Sequence, residues 1–124
     1  MDKDALIHRI GQLVIADPKV NAEPWDSYAL IADFDGATAR IVGYRYTDAG
    51  DWEAATPRDP DLAESVRALR EATRVDGKAP WLACVLRIVR ATGKLHAEFE
   101  YDDPGRWRIT PAALREVVER ARPG

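Results

Sequence analysis

Residues 27–44 read SYALIADFDGATARIVGY and predict the fold, because two alternating stretches meet at Asp35-Gly36. Aspartate followed by glycine is a strong signal for the two-residue loop of a β-hairpin. With that loop, one side of the ribbon would carry apolar or small pairs: Phe34–Ala37, Ala32–Ala39, Leu30–Ile41 and Tyr28–Gly43. The other side would carry Ser27, Ala29, Ile31 and Asp33 against Thr38, Arg40, Val42 and Tyr44. The pattern predicts an antiparallel pair with one face in the core and one toward water.

A second hairpin is predicted between residues 81–91 and 94–101, around Thr92-Gly93. A two-residue loop there would place three pairs on the core side: Ile88–Ala97, Leu86–Phe99 and Cys84–Tyr101. The outer side would pair Arg87 with Glu98, Val89 with His96 and Val85 with Glu100. The Arg–Glu pair supports this register, because opposite charges on facing residues stabilise a strand pair.

Three helices are predicted around the hairpins. The first runs from about Asp4 to Ala16 and stops at Asp17-Pro18; its apolar stripe is Leu6, Ile7, Ile10, Leu13 and Val14. The second starts with Asp59 as N-cap and Pro60 in its first turn, and ends at Gly77. Its buried stripe is Leu62, Val66, Leu69 and Thr73, and its polar side is Glu64, Arg67, Arg70, Glu71 and Arg74. The third is capped by Thr110-Pro111 and buries Leu114, Val117, Val118 and Ala121.

The order of these elements predicts one α+β domain over residues 1–124. A turn over residues 47–51 leads to a short third strand over residues 52–54. Both connections between the strong strands are tight hairpins, which is typical of antiparallel sheets. We therefore expect an antiparallel sheet of four to five strands built from two hairpins and packed with N-terminal, central and C-terminal helices.

Composition narrows the class of function. The chain of 124 residues is 46% apolar and 31% charged, with a net charge of −3. This charge argues against a nucleic-acid-binding protein, because affinity for phosphates needs a cationic surplus. The longest near-apolar stretch, Trp81 to Leu86, is too short to cross a membrane, and charges near the N-terminus do not fit a signal peptide. With Cys84 as the single cysteine, these features predict a cytoplasmic protein without a disulfide, a membrane partner or a cofactor.

The charges are divided along the chain. Residues 1–63 carry 6 basic and 12 acidic side chains, whereas residues 64–124 carry 12 basic and 9 acidic ones. Because opposite charges steer association, the first half is predicted to be the better candidate to meet a cationic partner.

Few side chains offer catalytic chemistry. His8 and His96 could act as an acid and base pair in a small metal-independent hydrolase or ribonuclease, but nothing in the sequence brings them together. Glu98 and Glu100 could serve as paired carboxylates, and a strand facing water would show the same alternation. Cys84 alternates inward and is interpreted as a small core residue. We therefore expect a binding protein and not an enzyme, with no metal site.

Carboxylates lie near aromatic residues in three places: around the first hairpin tip, around Trp52, and along and after the last strand. These carboxylates are Asp33, Asp35, Asp48, Asp51, Glu98, Glu100, Asp102 and Asp103. Turns favour aspartate for local hydrogen-bonding reasons, so a purely structural role stays open. The aromatic residues Trp25, Trp52, Tyr44, Tyr46 and Trp107 could equally serve the core or, where exposed, an interface.

Several short motifs resemble, in their order and spacing, the YezG-like family of bacterial immunity proteins. They are Gly77-Lys78-Ala79-Pro80-Trp81, the apolar strand after it, Thr92-Gly93-Lys94, and Phe99-Glu100-Tyr101-Asp102-Asp103. The N-terminal helix and an early hairpin containing Tyr44 and Tyr46 fit the same order, so the similarity covers roughly residues 1–110.

This resemblance implies a stoichiometric inhibitor that binds and neutralises a cognate toxin domain, commonly a nuclease. We expect an acidic and aromatic surface to cover the toxin's active site. The predicted contact residues are Asp33, Asp35, Tyr44, Tyr46, Asp51, Trp52, Glu98, Glu100, Asp102 and Asp103. Two alternatives stay open: the small hydrolase described above, and a homodimeric scaffold that pairs an exposed sheet edge.

Overall fold

The described part of the chain, residues 2–123 of a computed structural model, contains three helices and five strands. The elements follow in the order α1 Lys3–Ala16, a 3₁₀ turn Val20–Ala22, β1 Ser27–Asp35, β2 Thr38–Tyr46, β3 Trp52–Ala54, α2 Asp61–Ala72, β4 Ala83–Val89, β5 Lys94–Glu100 and α3 Leu114–Ala121. The strands form one antiparallel sheet in the order β3-β2-β1-β4-β5. The predicted α+β class, the five-stranded sheet, the three helices and the short third strand are confirmed.

The sheet is covered on both faces, whereas the sequence predicted one face toward water. On one face α1 and α2 pack over Tyr28, Leu30, Ala32, Phe34, Cys84, Leu86 and Ile88. On the other face Trp107 and α3 pack over Ala29, Ile31, Tyr44, Tyr46, Ala83 and Val85. Val85, which was predicted to lie on the outer side of the second hairpin, is fully buried, so that prediction is wrong. The central strands β1 and β4 contribute to two separate cores.

The predicted register of the first hairpin is shifted by two residues. Phe34 faces Ala39 and Leu30 faces Gly43, so the loop consists of Gly36 and Ala37. Gly36 has a φ of +61°, and no other type of residue in the described part has a positive φ. A glycine of positive φ in the first loop position, followed by a residue of negative φ, fits a type II′ turn. The predicted Asp35-Gly36 loop would be a type I′ turn, which needs a positive φ at the aspartate as well as at the glycine. A shift of two residues keeps every side chain on its predicted face.

The second hairpin is also shifted by two residues, but in the opposite direction along the chain. Its loop has four residues, Arg90 to Gly93, and closes with Gly93 at a φ of +68°. The facing pairs are Leu86–Ala97, Cys84–Phe99, Val85–Glu98 and Arg87–His96. Tyr101, predicted opposite Cys84 on the core side, lies beyond the end of β5 and is half exposed. The predicted Arg87–Glu98 pair exists as a diagonal ion pair, with Nη1 and Oε1 at 2.9 Å.

The ends of the helices also differ in detail. α2 begins at Asp61, whose N–H donates to the Asp59 carboxylate at 2.9 Å, and it ends at Ala72 instead of Gly77. Thr73 is the C-cap of the helix and its hydroxyl donates to the Leu69 carbonyl at 2.8 Å, while Gly77 lies in a separate turn. Arg70, predicted to face water, has its guanidinium 4.2 Å from the centre of the Phe34 ring. α3 begins at Leu114, one turn after the predicted cap.

Candidate functional site

The structure places the predicted contact residues in three separate regions. One group lies on the face of the sheet covered by α3: Asp33, Tyr44, Tyr46, Glu98 and Glu100. A second group, Asp51 and Trp52, lies where β3 begins. A third group, Asp35, Asp102 and Asp103, lies at the other end of the sheet, where β1 and β5 finish. The ten residues therefore do not form one contiguous patch.

Asp33 belongs to the packed interior and not to an open acidic surface. Its side chain is 11% exposed, and one carboxylate oxygen lies 3.0 Å from Arg40 Nη2 and 3.8 Å from Arg108 Nε. Arg40 faces it across the hairpin, whereas Arg108 comes from the segment that leads into α3. The charge of Asp33 is neutralised within the fold, which removes it from the predicted contact set.

Glu98 and Glu100 are also paired with arginines. Glu98 accepts a hydrogen bond from Arg87 at 2.9 Å and lies 3.9 Å from Arg106, which in turn is 3.5 Å from Glu100. The three guanidinium groups of Arg87, Arg106 and Arg120 lie 5.3–5.7 Å from the ring centre of the buried Trp107. The basic surplus of the second half of the chain is thus partly used to neutralise carboxylates of the sheet.

Glu100 shapes the loop that follows β5. Its carboxylate accepts hydrogen bonds from the backbone N–H groups of Asp102 at 3.0 Å and Asp103 at 3.2 Å. These two bonds, with Arg106 nearby, lower the pKa of Glu100 below its ordinary value. Asp103 then accepts from the N–H of Gly105 at 2.9 Å. The loop after β5 is therefore held in one conformation by its own carboxylates.

The two tyrosines predicted to contact a partner are buried instead. Tyr46 is 1% exposed and its hydroxyl donates to the Val118 carbonyl at 2.6 Å, while burial raises its pKa above the ordinary value. Tyr44 is 4% exposed and meets the Trp52 ring edge-on, with the ring centres 5.7 Å apart. Both tyrosines belong to the core under α3 and cannot contact a partner in this structure. Asp51 is exposed and Trp52 is half-buried, at the far end of the sheet from Asp102.

An open groove lies beside Asp102, and we name it the Tyr101 groove. It has a volume of about 420 Å³ and is lined by Thr73, Val75, Lys78, Ala79, Tyr101 and Asp102. Val75 is 58% exposed and Tyr101 is 50% exposed, so the groove presents two of the three large apolar side chains that stand out into water in the described part. Asp102 and Asp103 are exposed at its side and make no ion pair within residues 2–123.

A rigid aromatic cluster supports this groove. Trp81 is fully buried, and its Nε1 donates to the Thr73 hydroxyl at 2.8 Å. The rings of Phe34 and Phe99 each lie with their centres 5.5 Å from that of Trp81. Arg70 Nε donates to the Trp81 carbonyl at 2.8 Å and so ties α2 to the start of β4. The loop between α2 and β4 is anchored to this cluster at Thr73 and Trp81, and the loop after β5 begins two residues beyond Phe99 of the same cluster.

Sequence reasoning missed the groove because it assigned Tyr101 to the core side of β5. A signal was present: Val75 is an apolar residue between the charged Arg74 and Asp76, two positions before Gly77. Val75 does not continue the apolar stripe of the preceding helix, so an exposed position was the simpler interpretation.

The candidate catalytic residues are placed as follows. His8 and His96 both line a shallow groove of about 390 Å³ between α1 and β5, and neither makes a hydrogen bond through its side chain in the described part. Cys84 is 6% exposed, and burial raises the pKa of its thiol to about 12. Within residues 2–123 no three or more His, Cys, Asp or Glu side chains are grouped so that they could hold a metal ion.

No protein-family model matches the chain, and no curated protein sequence matches it. Among the helices of the described residues, none has the length and apolar character needed to cross a membrane.

Proposed function

We propose that this protein is an immunity protein that binds and neutralises a cognate nuclease toxin domain, with the Tyr101 groove as the centre of its contact surface. The observation that carries this proposal is the exposure of Tyr101 and Val75 in one groove. Exposed aromatic residues beside apolar ones are frequent anchors of protein–protein interfaces, because they bury a large area with little loss of side-chain entropy.

The resemblance to YezG-like immunity proteins supports the same surface. Two of the segments that carry it, Gly77 to Trp81 and Phe99 to Asp103, contribute residues to the Tyr101 groove or to the aromatic cluster under it. These segments are about twenty residues apart in the chain, and the hairpin of β4 and β5 brings them together.

The exposed carboxylates beside the groove favour a positively charged partner. Asp102 and Asp103 are exposed beside it, and Asp35 is exposed at the same end of the sheet. Nucleases carry positive charge around the cleft that binds the phosphate backbone. Exposed carboxylates accelerate association with such a cleft and make binding sensitive to salt, while Tyr101 and Val75 supply the apolar contact that slows dissociation.

The test is a binding and inhibition assay with the toxin domain encoded beside this protein. Tyr101→Ala is expected to weaken binding about 30-fold, as for an interface hot spot. Asp102→Lys with Asp103→Lys is expected to weaken binding at low salt and less at high salt. The matched control is Asp48→Lys with Asp51→Lys, which makes the same charge change in an exposed turn at the other end of the sheet and leaves binding unchanged.

Each outcome decides between contact surfaces. Loss of binding in the Asp48 and Asp51 variant alone would move the contact to the β2–β3 turn. Unchanged inhibition by the Tyr101 and the Asp102–Asp103 variants would exclude the groove, and failure of the unmodified protein to inhibit any neighbouring toxin would refute the proposed function.

The second candidate function is a small ribonuclease. The observation in its favour is that His8 of α1 and His96 of β5 both border the groove between these two elements, with His96 on the α3 face of the strand. RNA cleavage by the purified protein that disappears in His96→Ala would establish it. The absence of turnover with RNA or DNA would exclude it.

A further inference from the structure

β5 is the longest strand edge without a strand partner in the described part of the chain. It has seven residues, Lys94–Glu100, and pairs only with β4. At the opposite edge of the sheet, β3 pairs with Tyr44 to Tyr46 of β2 and the N–H of Ala55 donates to the Gly43 carbonyl at 2.8 Å. Only the five residues 38–42 of β2 lack a partner on that side, against seven in β5. An uncovered edge presents a row of backbone groups that can pair with another strand.

The apolar side of β5 is also incompletely covered. Leu95, Ala97 and Phe99 are half-buried, although they face the same core as the buried Leu86 and Cys84 of β4. A groove of about 390 Å³ runs between this side of β5 and the first turns of α1. A further strand beside β5 would place its own side chains into this groove.

The sequence of β5 is complementary to itself when it is paired antiparallel about Ala97. On the α3 side of the sheet, Lys94 of one copy would face Glu100 of the other, and His96 would face Glu98. On the α1 side, Leu95 would face Phe99 and Ala97 would face Ala97. Lys94 and Glu100 carry opposite charges, His96 can donate a hydrogen bond to Glu98, and aromatic–aliphatic pairs on facing residues also stabilise strand pairs. Within each copy, Glu98 and Glu100 keep their ion pairs with Arg87 and Arg106.

The neighbouring registers lack this complementarity. Pairing centred on Glu98 would place two glutamates against each other, and pairing centred on His96 would place histidine against histidine. A register shifted by a single residue would place the α1 face of one copy on the same side of the joint sheet as the α3 face of the other copy. Only the register about Ala97 uses all seven residues of β5.

We propose that two copies of this protein associate through β5, antiparallel and centred on Ala97, to form a continuous ten-stranded sheet. Such an interface is isologous: each copy contributes the same strand and the twofold axis passes between the two Ala97 residues. The proposal does not rest on toxin binding, since it uses the edge of β5 whereas the Tyr101 groove lies beyond the end of that strand.

The first experiment measures the mass of the protein by sedimentation equilibrium over a range of concentrations. The unmodified chain is expected to be dimeric. His96→Glu and Lys94→Glu each place like charges at two symmetric positions, so the dissociation constant should rise about ten-fold. His96→Lys places a positive charge against Glu98 and should preserve the dimer. Arg115→Glu, an exposed residue on α3 with the same charge change as Lys94→Glu, is the control and stays dimeric.

The second experiment tests the register by disulfide formation. Facing residues in an antiparallel pair have Cα atoms about 4.5–5.5 Å apart, within the range that a disulfide needs. Ala97→Cys should therefore form a covalent dimer on oxidation, whereas Leu95→Cys should not, because the two copies of residue 95 would be about 13 Å apart. The natural Cys84 is buried and does not interfere.

A protein that stays monomeric at every concentration overturns the proposal. Equal cross-linking of both cysteine variants, or a dimer that His96→Glu does not weaken, overturns the register. Tyr101→Ala should leave the dimer intact, so a failure of the proposed dimer and a failure of toxin binding are separate results.

Discussion

At the scale of single residues, Gly43 shows how a missing side chain sets the packing of two strands. The Tyr28 ring lies over Gly43, and its hydroxyl donates to the Ala55 carbonyl at 2.6 Å. A Cβ built on Gly43 would overlap that hydroxyl. Burial raises the pKa of Tyr28 well above the ordinary value, so this phenol is a neutral donor at any physiological pH. The glycine therefore serves packing and hydrogen bonding, and not a turn.

Gly43→Ala is expected to lower the free energy of unfolding by about 2–4 kcal/mol, because Tyr28 must move and its buried hydrogen bond is lost. Urea unfolding measures the change. Tyr28→Phe together with Gly43→Ala should cost less than the two single changes added, since both disrupt the same contact. Strict additivity would show that the two residues are not coupled.

At the scale of elements, the decisive feature is that β1 is buried on both faces. Leu30 and Ile31 are neighbours in the chain and point to opposite faces, yet they are 2% and 1% exposed. Leu30 packs in the core under α1 and α2, and Ile31 packs in the core under α3. α3 and the segment before it therefore form a full layer of the domain.

Leu30→Ala and Ile31→Ala are each expected to lower the free energy of unfolding by about 2–5 kcal/mol, as for large-to-small changes in a core. Denaturant titration of the two variants checks this. A sheet with one face toward water would give a large loss for Leu30→Ala and only a small one for Ile31→Ala. Arg67→Ala on the exposed side of α2 is a control with little expected effect.

At the scale of the whole molecule, the ion pairs join segments that are distant in the chain. Arg108 reaches Asp33 of β1, and Arg106 lies beside Glu98 and Glu100 of β5. The buried Arg45 donates to the carbonyls of Lys19 and Val20 and pairs with Glu53 at 2.8 Å. The division into an acidic and a basic half therefore does not describe the surface that a partner meets.

Because β1 and β4 belong to both cores, the domain is expected to unfold in a single cooperative step. Unfolding followed by far-ultraviolet circular dichroism and by tryptophan fluorescence should give coincident curves. Trp81 reports on one core and Trp107 on the other. Separate transitions would show that the layer of α3 unfolds independently of the rest.

The candidate site was only partly predictable. Asp102 and Asp103 follow β5 in the sequence and are exposed as expected, whereas Tyr44 and Tyr46 were predicted to contact a partner and are buried. Tyr101 was assigned to the core because the register of the second hairpin was placed two residues away from the observed one. A four-residue loop instead of a two-residue loop is sufficient to cause that error.

The sequence by itself determined the elements and the face of the sheet on which each side chain lies, because alternation has a period of two and survives a register shift of two residues. It also determined the glycines at which the chain turns. The tertiary structure alone decided that both faces are buried, that Asp33, Glu98 and Glu100 are neutralised, and that Tyr101 and Val75 share a groove. The physical reason is that burial and ion pairing depend on segments far apart in the chain, such as residues 106–121 folding back over the sheet, and local periodicity carries no information about them.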